Sequence, residues 1–313
     1  MLALPNKGMA RSVNVHNIDL NILCDWIEAS VVFEDTELSK SDVIDVLIEE
    51  QVYSDQAFAA AIVEIAWAVI SRRATYLSRP LGISVAGNRI NRTDDWTVFP
   101  AYGFCLALSC VELYSGLPAL WGNNSVEQGA LFEELTAESL SQTFQGWTVK
   151  RIGWSATNNL ISLRDALPTI ISDLNEAEAA ETNLHLTSAV KDLGLDLLAF
   201  YSFGDRQASI PVLLVQCASG SDWVSKRHTP DIEFWGKKII SFNSHPVRGF
   251  AMPFAFAEPL HFRRDAAAVN GVFVDRYRLL KSFRQNNASV STALNAQLTD
   301  WVRPRVAQLP RVN

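Results

Sequence analysis

The first part of the chain carries hydrophobic positions at helical spacing. In residues 18–33 apolar side chains recur every three or four positions, which predicts a helix with one buried face. Ser39 and Asp42 form a pattern typical of a capping box at the start of a second helix. Residues 57–73 are apolar on nearly every side, as in the central helix of a bundle, and residues 101–113 predict another buried helix. These segments indicate a mostly helical domain.

Polar passages interrupt this pattern twice. Residues 80–96 are rich in Gly and Asn around short apolar pieces, which favours a hairpin or a loop. Gly, Pro and Asn cluster again in residues 115–125, and we expect the domain boundary there. The predicted domains are a helical regulatory or partner-binding domain over residues 1–125 and a second domain over residues 126–313.

The pattern changes character after the boundary, because helical and strand periodicities alternate. Helices are predicted over 126–144, over 160–175 as an insertion, and over 232–240, with a mobile Ala- and Glu-rich linker after 175. Strands are predicted over 147–154, 195–201 and 210–217, within 249–256, and over 271–274. A helix, three strands, a helix and a strand predict an α/β fold, with a mixed sheet flanked by helices.

The composition narrows the class of protein. Hydrophobic residues make up 48% of the 313 residues and charged residues 19%, which is typical of folded domains and excludes a disordered chain. The two most apolar stretches, 57–70 and 99–121, are short or interrupted by charges, Gly and Pro, so neither is expected to span a membrane. The four cysteines share no metal-ligand spacing, and we expect them to be reduced in a cytoplasmic protein.

The charge distribution is uneven. The chain has a net charge of −7, yet residues 219–313 hold fourteen Lys and Arg against seven acidic residues, so the preceding 218 residues carry −14. A chain polarised in this way can bind a polyanion on one face. An ordinary solvated surface would give the same count.

Two polar side chains mark the strands of the predicted hairpin. Asp196 begins one apolar strand and Gln216 ends the next, and a turn near 204–207 would bring the two to the same edge of the sheet. A buried carboxylate needs compensation, because an unpaired buried charge is very costly. A carboxylate, an amide oxygen and a main-chain carbonyl are the oxygen ligands that Mg²⁺ takes. Each side chain could instead satisfy a neighbouring backbone group.

Three short motifs in this region resemble the PD-(D/E)xK restriction-endonuclease-like superfamily. Residues 129–135, GALFEEL, resemble its first-helix motif, residues 191–196, KDLGLD, resemble its D-x-G-x-D strand, and residues 215–218, VQCA, resemble its Q-x-K strand. The resemblance covers roughly residues 126–280, and the order of predicted elements agrees with the αβββαβ core of the family. It implies a restriction-endonuclease-like sheet and a nuclease that uses Mg²⁺ or Mn²⁺.

The resemblance also implies which residues hold the metal. Glu133, Asp196 and Gln216 would coordinate it, together with the main-chain carbonyl of Cys217. Two neighbouring acids, Glu134 and Asp192, compete for the roles of Glu133 and Asp196.

The chain departs from the family at the motif lysine. Position 218 holds Ala where Q-x-K has Lys, whose charge would stabilise the developing negative charge on the phosphate. The lysine has migrated, with Lys226 as the first candidate, or the site is degenerate. In the first case Glu133, Asp196, Gln216 and Lys226 form the catalytic set.

The basic region supplies candidate contacts to nucleic acid. We expect Lys226, Arg227, Arg263, Arg264 and Arg276 to bind phosphates, with DNA as the first substrate and RNA as an alternative. The predicted function is Mg²⁺-dependent hydrolysis of DNA phosphodiester bonds, in restriction or anti-phage defence. The competing prediction is an inactive nuclease fold acting as an adaptor in a defence complex. The N-terminal domain would bind partner proteins or form a homo-oligomer.

Overall fold

The computed structural model of the protein describes residues 1–9, 18–77, 82–121, 125–152, 163–186, 193–285 and 290–312. The chain divides into two compact units. The first unit consists of Met1–Asn124, Pro253–His261 and Arg276–Asn313, and the second consists of Ser125–Met252 and Phe262–Asp275.

The helices and strands are numbered in chain order. The helices in the described residues are α1 (Leu20–Phe33), α2 (Lys40–Glu49), α3 (Gln56–Tyr76), α4 (Pro100–Leu113), α5 (Leu117–Trp121), α6 (Ser125–Thr143), α7 (Leu163–Leu174), α8 (Thr182–His185), α9 (Ile232–Phe234), α10 (Pro259–Val269), α11 (Arg276–Gln285) and α12 (Thr292–Val306). The strands there are β1 (Glu37–Ser39), β2 (Ile83–Ala86), β3 (Arg89–Arg92), β4 (Thr148–Arg151), β5 (Ala177–Glu178), β6 (Leu197–Phe200), β7 (Val212–Cys217), β8 (Ile240–Ser241), β9 (Val247–Ala251) and β10 (Val272–Val274).

The first unit is mostly helical, as the periodicity predicts. Helix α4 is apolar on nearly all sides and packs against both α1 and α12, so it lies at the centre of this unit. Ser39 and Asp42 form the predicted capping box at the start of α2. The Gly- and Asn-rich passage contains the hairpin β2–β3, and β1 pairs with β3 to complete a small antiparallel sheet.

The C-terminal segment, Arg276–Asn313, belongs to the first unit, although the predicted second domain included all residues after 125. Helix α12 is capped at its N-terminus by Ser291, whose hydroxyl accepts from the backbone N–H of Leu294. Its apolar side chains, Leu294, Leu298 and Trp301, are buried, and the Trp301 ring packs edge-on to Phe104 of α4 at 4.9 Å. Burial of this face is the physical reason for the assignment.

The second unit contains a five-stranded mixed sheet in the order β10-β9-β7-β6-β4. Strands β10, β9 and β7 run parallel, and β6 is antiparallel to both β7 and β4. The sheet is flanked by helices, which confirms the predicted α/β class with a mixed sheet. Leu197 pairs with Val215 and Phe200 with Val212, so the register continues to Asp196 beside Gln216.

The segment after α7 was predicted to be a mobile linker, but its described part contains regular secondary structure. Residues 177–178 form β5, which pairs with β8, and α8 follows. Glu176 accepts hydrogen bonds from the backbone and side chain of Asn243, and these contacts hold the segment in place. The predicted helix over 232–240 is shorter than expected, because α9 continues as a π turn over Trp235–Ile239 before β8 begins.

The helices after β9 were not predicted. Helix α10 begins at Pro259, whose fixed φ suits the first turn of a helix.

Across the described ranges, no helix is both long enough and apolar enough to cross a bilayer.

Candidate functional site

The end of β7 brings Asp196 and Gln216 together. The Gln216 side-chain N–H donates a hydrogen bond to the Asp196 carboxylate, and the backbone N–H of Cys217 donates to Oδ2 of the same group at 2.6 Å. Asp196 is only 6% exposed, so these donors offset much of the cost of burying its charge. The predicted proximity of the two side chains is confirmed.

A glycine with a positive φ leads the chain into Asp196. Gly194 has a φ of +75°, a conformation that L side chains rarely adopt. A Cβ at this position would lie 2.8 Å from Cβ of Thr229 and 3.0 Å from Oε1 of Gln216. Glycine is therefore required both by the backbone conformation and by the close approach of the Gln216 amide. Asp192, the competing acid, lies outside the described residues.

Helix α6 brings a second carboxylate to the same place. Burial raises the pKa of the Cys217 thiol well above its ordinary value, and the carboxylates of Asp196 and Glu133 raise it further. Both acids therefore lie near this thiol. A hydrogen bond with Thr136 and the charge of Arg151 act in the opposite direction. The Cys217 side chain is thus a neutral thiol at neutral pH, and its carbonyl remains the group of interest for a metal.

Arg151 is a residue of this site that sequence reasoning missed. It lies at the end of β4, paired in register with Leu197. Its guanidinium contacts Glu133 at 3.5 Å and Glu134 at 3.2 Å. Arg151 lies near the end of a predicted strand, and the next predicted strand begins at the acidic motif. This arrangement was the signal that the sequence offered.

The ligand atoms at this site are of the type that a hard divalent cation prefers. They are the carboxylates of Asp196 and Glu133, the Gln216 amide and the Cys217 carbonyl, all of them oxygen ligands. The amide as oriented directs its nitrogen to Asp196, and its oxygen accepts from the Thr229 hydroxyl at 3.2 Å. Because amide orientation is assigned from the hydrogen-bond network, the opposite orientation is available to a bound cation. In the residues that the structure describes, no three His, Cys, Asp or Glu side chains converge as a metal-binding group.

The main chain of Lys226 lies near the side chain of Gln216. The Thr229 hydroxyl donates to the Lys226 carbonyl at 2.7 Å and to Gln216 Oε1 at 3.2 Å. The Lys226 ammonium, however, pairs with Asp222 at 3.1 Å, and its side chain is 41% exposed. Lys226 ends a 3₁₀ turn over Ser221–Lys226, and Trp223 anchors this turn by packing against Phe250 of β9 and Phe273 of β10.

The basic candidates in the second unit differ in exposure. Arg263 and Arg264 are both exposed on α10, and Arg264 contacts Asp265 at 3.2 Å. Arg227 is mostly buried, and its guanidinium also binds the buried Asp265. Arg227 therefore links the 3₁₀ turn to α10, while Arg263 and Arg264 present charge to solvent.

Arg276 was predicted to contact nucleic acid, and the structure corrects this. Its side chain is fully buried in the first unit, where it donates to the Asp25 carboxylate at 2.9 Å and to the Pro253 carbonyl at 2.9 Å. The Ser109 hydroxyl accepts a further bond. A guanidinium with these partners is not available to a phosphate. The sequence could not distinguish this arginine from an exposed one, because its partners lie up to 251 residues away.

A scan against protein-family models and searches of curated proteins and of solved structures find no match for this chain.

Proposed function

We propose that the second unit is a metal-dependent nuclease of the restriction-endonuclease-like type, with Asp196 and Glu133 as its acidic pair. The observation that carries the proposal is the contact of Asp196 with Gln216 and the Cys217 backbone at the end of β7, where the charge of Glu133 also raises the pKa of the Cys217 thiol. These are the residues that the family motifs single out. The mixed sheet and the order of its elements are compatible with the αβββαβ core.

Each group has a role in this proposal. Asp196 and Glu133 would hold Mg²⁺ or Mn²⁺, with Gln216 and the Cys217 carbonyl completing the oxygen ligands. A divalent cation bound there would supply Lewis-acid activation of the phosphate and a more acidic water. The backbone N–H of Cys217 fixes the Asp196 carboxylate, so its orientation is set before substrate binds.

Lys226 is the candidate for the positive charge that the motif position lacks. Its pair with Asp222 is exposed on both sides and joins residues four apart, and such pairs contribute about 0.3–0.5 kcal/mol. A phosphodiester could therefore replace Asp222 as the partner of the ammonium at little cost. Arg151 is the second candidate, but it is shared between Glu133 and Glu134.

The test is cleavage of plasmid DNA with Mg²⁺ or Mn²⁺. We expect the wild type to cleave, Asp196→Asn to lose activity, and Lys226→Met to lose at least tenfold, because each removes one charge of the site. Lys238→Met is the matched control, since Lys238 also forms an exposed ion pair, with Glu181. Equal losses in Lys226→Met and Lys238→Met would remove Lys226 from the mechanism. A wild-type protein that cleaves neither DNA nor RNA with either metal would contradict the proposed nuclease activity.

The second candidate function is an inactive nuclease fold that binds nucleic acid or partner proteins in a defence complex. Two observations favour it: Ala218 is buried at the motif lysine position, and the Gln216 amide directs its nitrogen to Asp196. This candidate predicts DNA binding without cleavage. A filter-binding titration over a range of salt concentrations, with the Arg263→Glu/Arg264→Glu double variant beside wild type, measures it.

The double variant is expected to weaken binding and to lower the salt slope by about 2, because each lost phosphate contact removes about 0.9 from that slope. An unchanged affinity and slope would exclude this face of α10 as the DNA contact.

A further inference from the structure

The side-chain amide of Gln216 lies between two sets of hydrogen-bonding groups at the end of β7. On one side its Nε2 donates to the Asp196 carboxylate and, at 3.2 Å, to the Cys217 carbonyl. On the other side its Oε1 lies 3.2 Å from the Thr229 hydroxyl. A Cβ at Gly194 would lie 3.0 Å from that Oε1 and 2.8 Å from Cβ of Thr229, so the amide fills a narrow slot. Rotation about its terminal bond exchanges the oxygen and the nitrogen within this slot.

The Thr229 hydroxyl has one hydrogen and two acceptors near it. The Lys226 carbonyl lies at 2.7 Å, whereas Gln216 Oε1, at 3.2 Å, lies beyond the usual O–H···O range of about 2.5–3.0 Å. The backbone N–H of Thr229 donates to the same carbonyl at 2.9 Å and keeps it beside the hydroxyl. The hydroxyl hydrogen therefore goes to Lys226, and a lone pair of the hydroxyl oxygen faces Gln216.

The two sides of the Gln216 amide consequently favour opposite orientations. As the amide stands, its oxygen faces the lone pair of Thr229, so two acceptors are in contact. In the reversed orientation Nε2 would donate to Thr229, and Oε1 would face the Asp196 carboxylate and the Cys217 carbonyl. Three acceptor oxygens would then converge, an arrangement that is repulsive without a cation among them and suited to one with it.

We propose that Thr229 is a positioning residue for the metal site, because its hydroxyl accepts from the Gln216 amide in the orientation that presents Oε1 to a divalent cation. The inference rests on the proposed metal-dependent function, and Thr229 lies outside the three motif segments. It acts through Gln216 and contacts neither the cation nor a phosphate. The same hydroxyl donates to the carbonyl of Lys226, so the metal ligand and the turn that bears the candidate lysine share one chain of hydrogen bonds.

The test is the affinity of the full chain for Mn²⁺, measured by calorimetry without nucleic acid. Thr229→Val keeps the shape of the side chain and removes the hydroxyl, so its Kd should rise about fivefold through the loss of one neutral hydrogen bond from the bound state. Thr229→Ser keeps the hydroxyl and should bind nearly as tightly as wild type. An equal loss in Thr229→Ser would mean that the methyl group matters rather than the hydroxyl, and it would overturn the proposal.

Thr182→Val is the matched control. Thr182 also donates to the carbonyl three residues before it, that of Ala179, at 2.7 Å, and to a second oxygen, that of Ile239, at 3.0 Å. Neither partner belongs to the proposed metal site, so this variant should bind Mn²⁺ as wild type does. A loss of affinity as large as that of Thr229→Val would mean that removal of any such hydroxyl disturbs the site, and it would contradict the assignment.

The side-chain amide of Gln216 gives a second readout that does not depend on activity. In ¹⁵N-labelled protein its NH₂ signals are identified by their absence from Gln216→Glu. Without metal, Thr229→Val should hardly move these signals, because the hydroxyl hydrogen goes to Lys226. Mg²⁺ should move them in wild type and in Thr229→Ser, and Thr229→Val should need a higher Mg²⁺ concentration for the same change.

The outcomes separate this inference from the proposed function. If the hydroxyl hydrogen goes to Gln216 instead, Thr229→Val will bind Mn²⁺ at least as tightly as wild type, and the inference is wrong while the metal site stands. If wild type binds no Mn²⁺, or no more tightly than Asp196→Asn does, the metal site itself is wrong and the inference falls with it. Weaker binding by Thr229→Val alone, among the three threonine variants, supports the role of the hydroxyl.

Discussion

Each unit holds carboxylates beside arginine, and the two regions differ in charge balance and in burial. In the first unit, Asp25 and Glu28 meet two buried arginines, Arg73 and Arg276, in a group that we call the ion cluster. At the end of β7 in the second unit, Glu133 and Glu134 share Arg151, and the carboxylate of Asp196 lies near by. An excess of negative charge can accept a cation, whereas a balanced cluster has no such capacity. Acidic residues alone therefore do not identify a metal site.

The comparison also separates charged groups that stabilise the fold from charged groups that serve binding. Burying an ion pair stabilises a protein only when its geometry is good, and removing one partner leaves the charge of the other uncompensated. The ion cluster is thus expected to dominate the stability of the first unit. At the end of β7, Asp196 is buried, whereas the side chains of Glu133 and Glu134 are 13% and 34% exposed, so removal of these two is expected to affect binding more than folding.

The largest expected effect is on the ion cluster. Arg276→Met removes one partner of Asp25 and should lower the free energy of unfolding by about 3–5 kcal/mol. Denaturant unfolding measures it. Lys281→Met, on the exposed face of the same helix, should change stability by less than about 0.5 kcal/mol. Similar values for the two variants would mean that the ion cluster has no special role in stability.

A smaller effect is expected from Asp196→Asn. Without metal, the variant keeps an oxygen for the Cys217 N–H, and its stability should change by less than about 1.5 kcal/mol. With Mn²⁺, wild type should gain stability by mass action, about 2.7 kcal/mol at a hundredfold excess over Kd, and the variant should gain almost none. Calorimetry with and without Mn²⁺ measures both. Asp222→Asn, at an exposed carboxylate, is the control. Equal gains in stability for wild type and Asp196→Asn would mean that the metal binds elsewhere.

The smallest effect concerns the thiols. Burial raises the pKa of Cys24 to about 12 and that of Cys105 to about 12, while the Cys217 pKa is raised by burial and then by Asp196 and Glu133. Removing the Glu133 charge should lower the Cys217 pKa and increase its thiolate fraction at pH 8. Glu133→Gln should therefore speed alkylation of Cys217 a few-fold, measured by mass spectrometry of iodoacetamide-treated protein.

Cys24 and Cys105 serve as internal controls in that experiment, because they lie in the first unit and should react equally slowly in both proteins. An unchanged Cys217 rate would indicate that Glu133 lies too far away to affect the thiol.

Local patterns predicted much of the fold. The periodicities around α1, α4 and β7 were strong enough to give their type and nearly their bounds, because each buries a regular apolar face. Helix α10 was missed, since its apolar content is low and its second turn carries two exposed arginines. The linker after α7 was misjudged because its order depends on the distant Asn243.

The candidate site was predictable where it follows strand register. Asp196 and Gln216 are equidistant from their turn, so counting residues brings them together. Arg151 was not predictable in this way, because its strand, β4, precedes α7 in the chain and no short turn joins it to β6. The burial of Arg276 depends on contacts with α1 and α4, which no pattern within its own segment encodes.

The first unit is assembled from three separate stretches of chain, and this affects the order in which the protein can fold during synthesis. Its central helix α4 reaches its final surroundings only after α12 has been made, nearly 180 residues later in the chain. The second unit ends at Asp275, so it can close while the ribosome is still translating. In the meantime the apolar side of α4 is exposed, and nascent chains stalled before residue 292 should be the ones that chaperones hold longest.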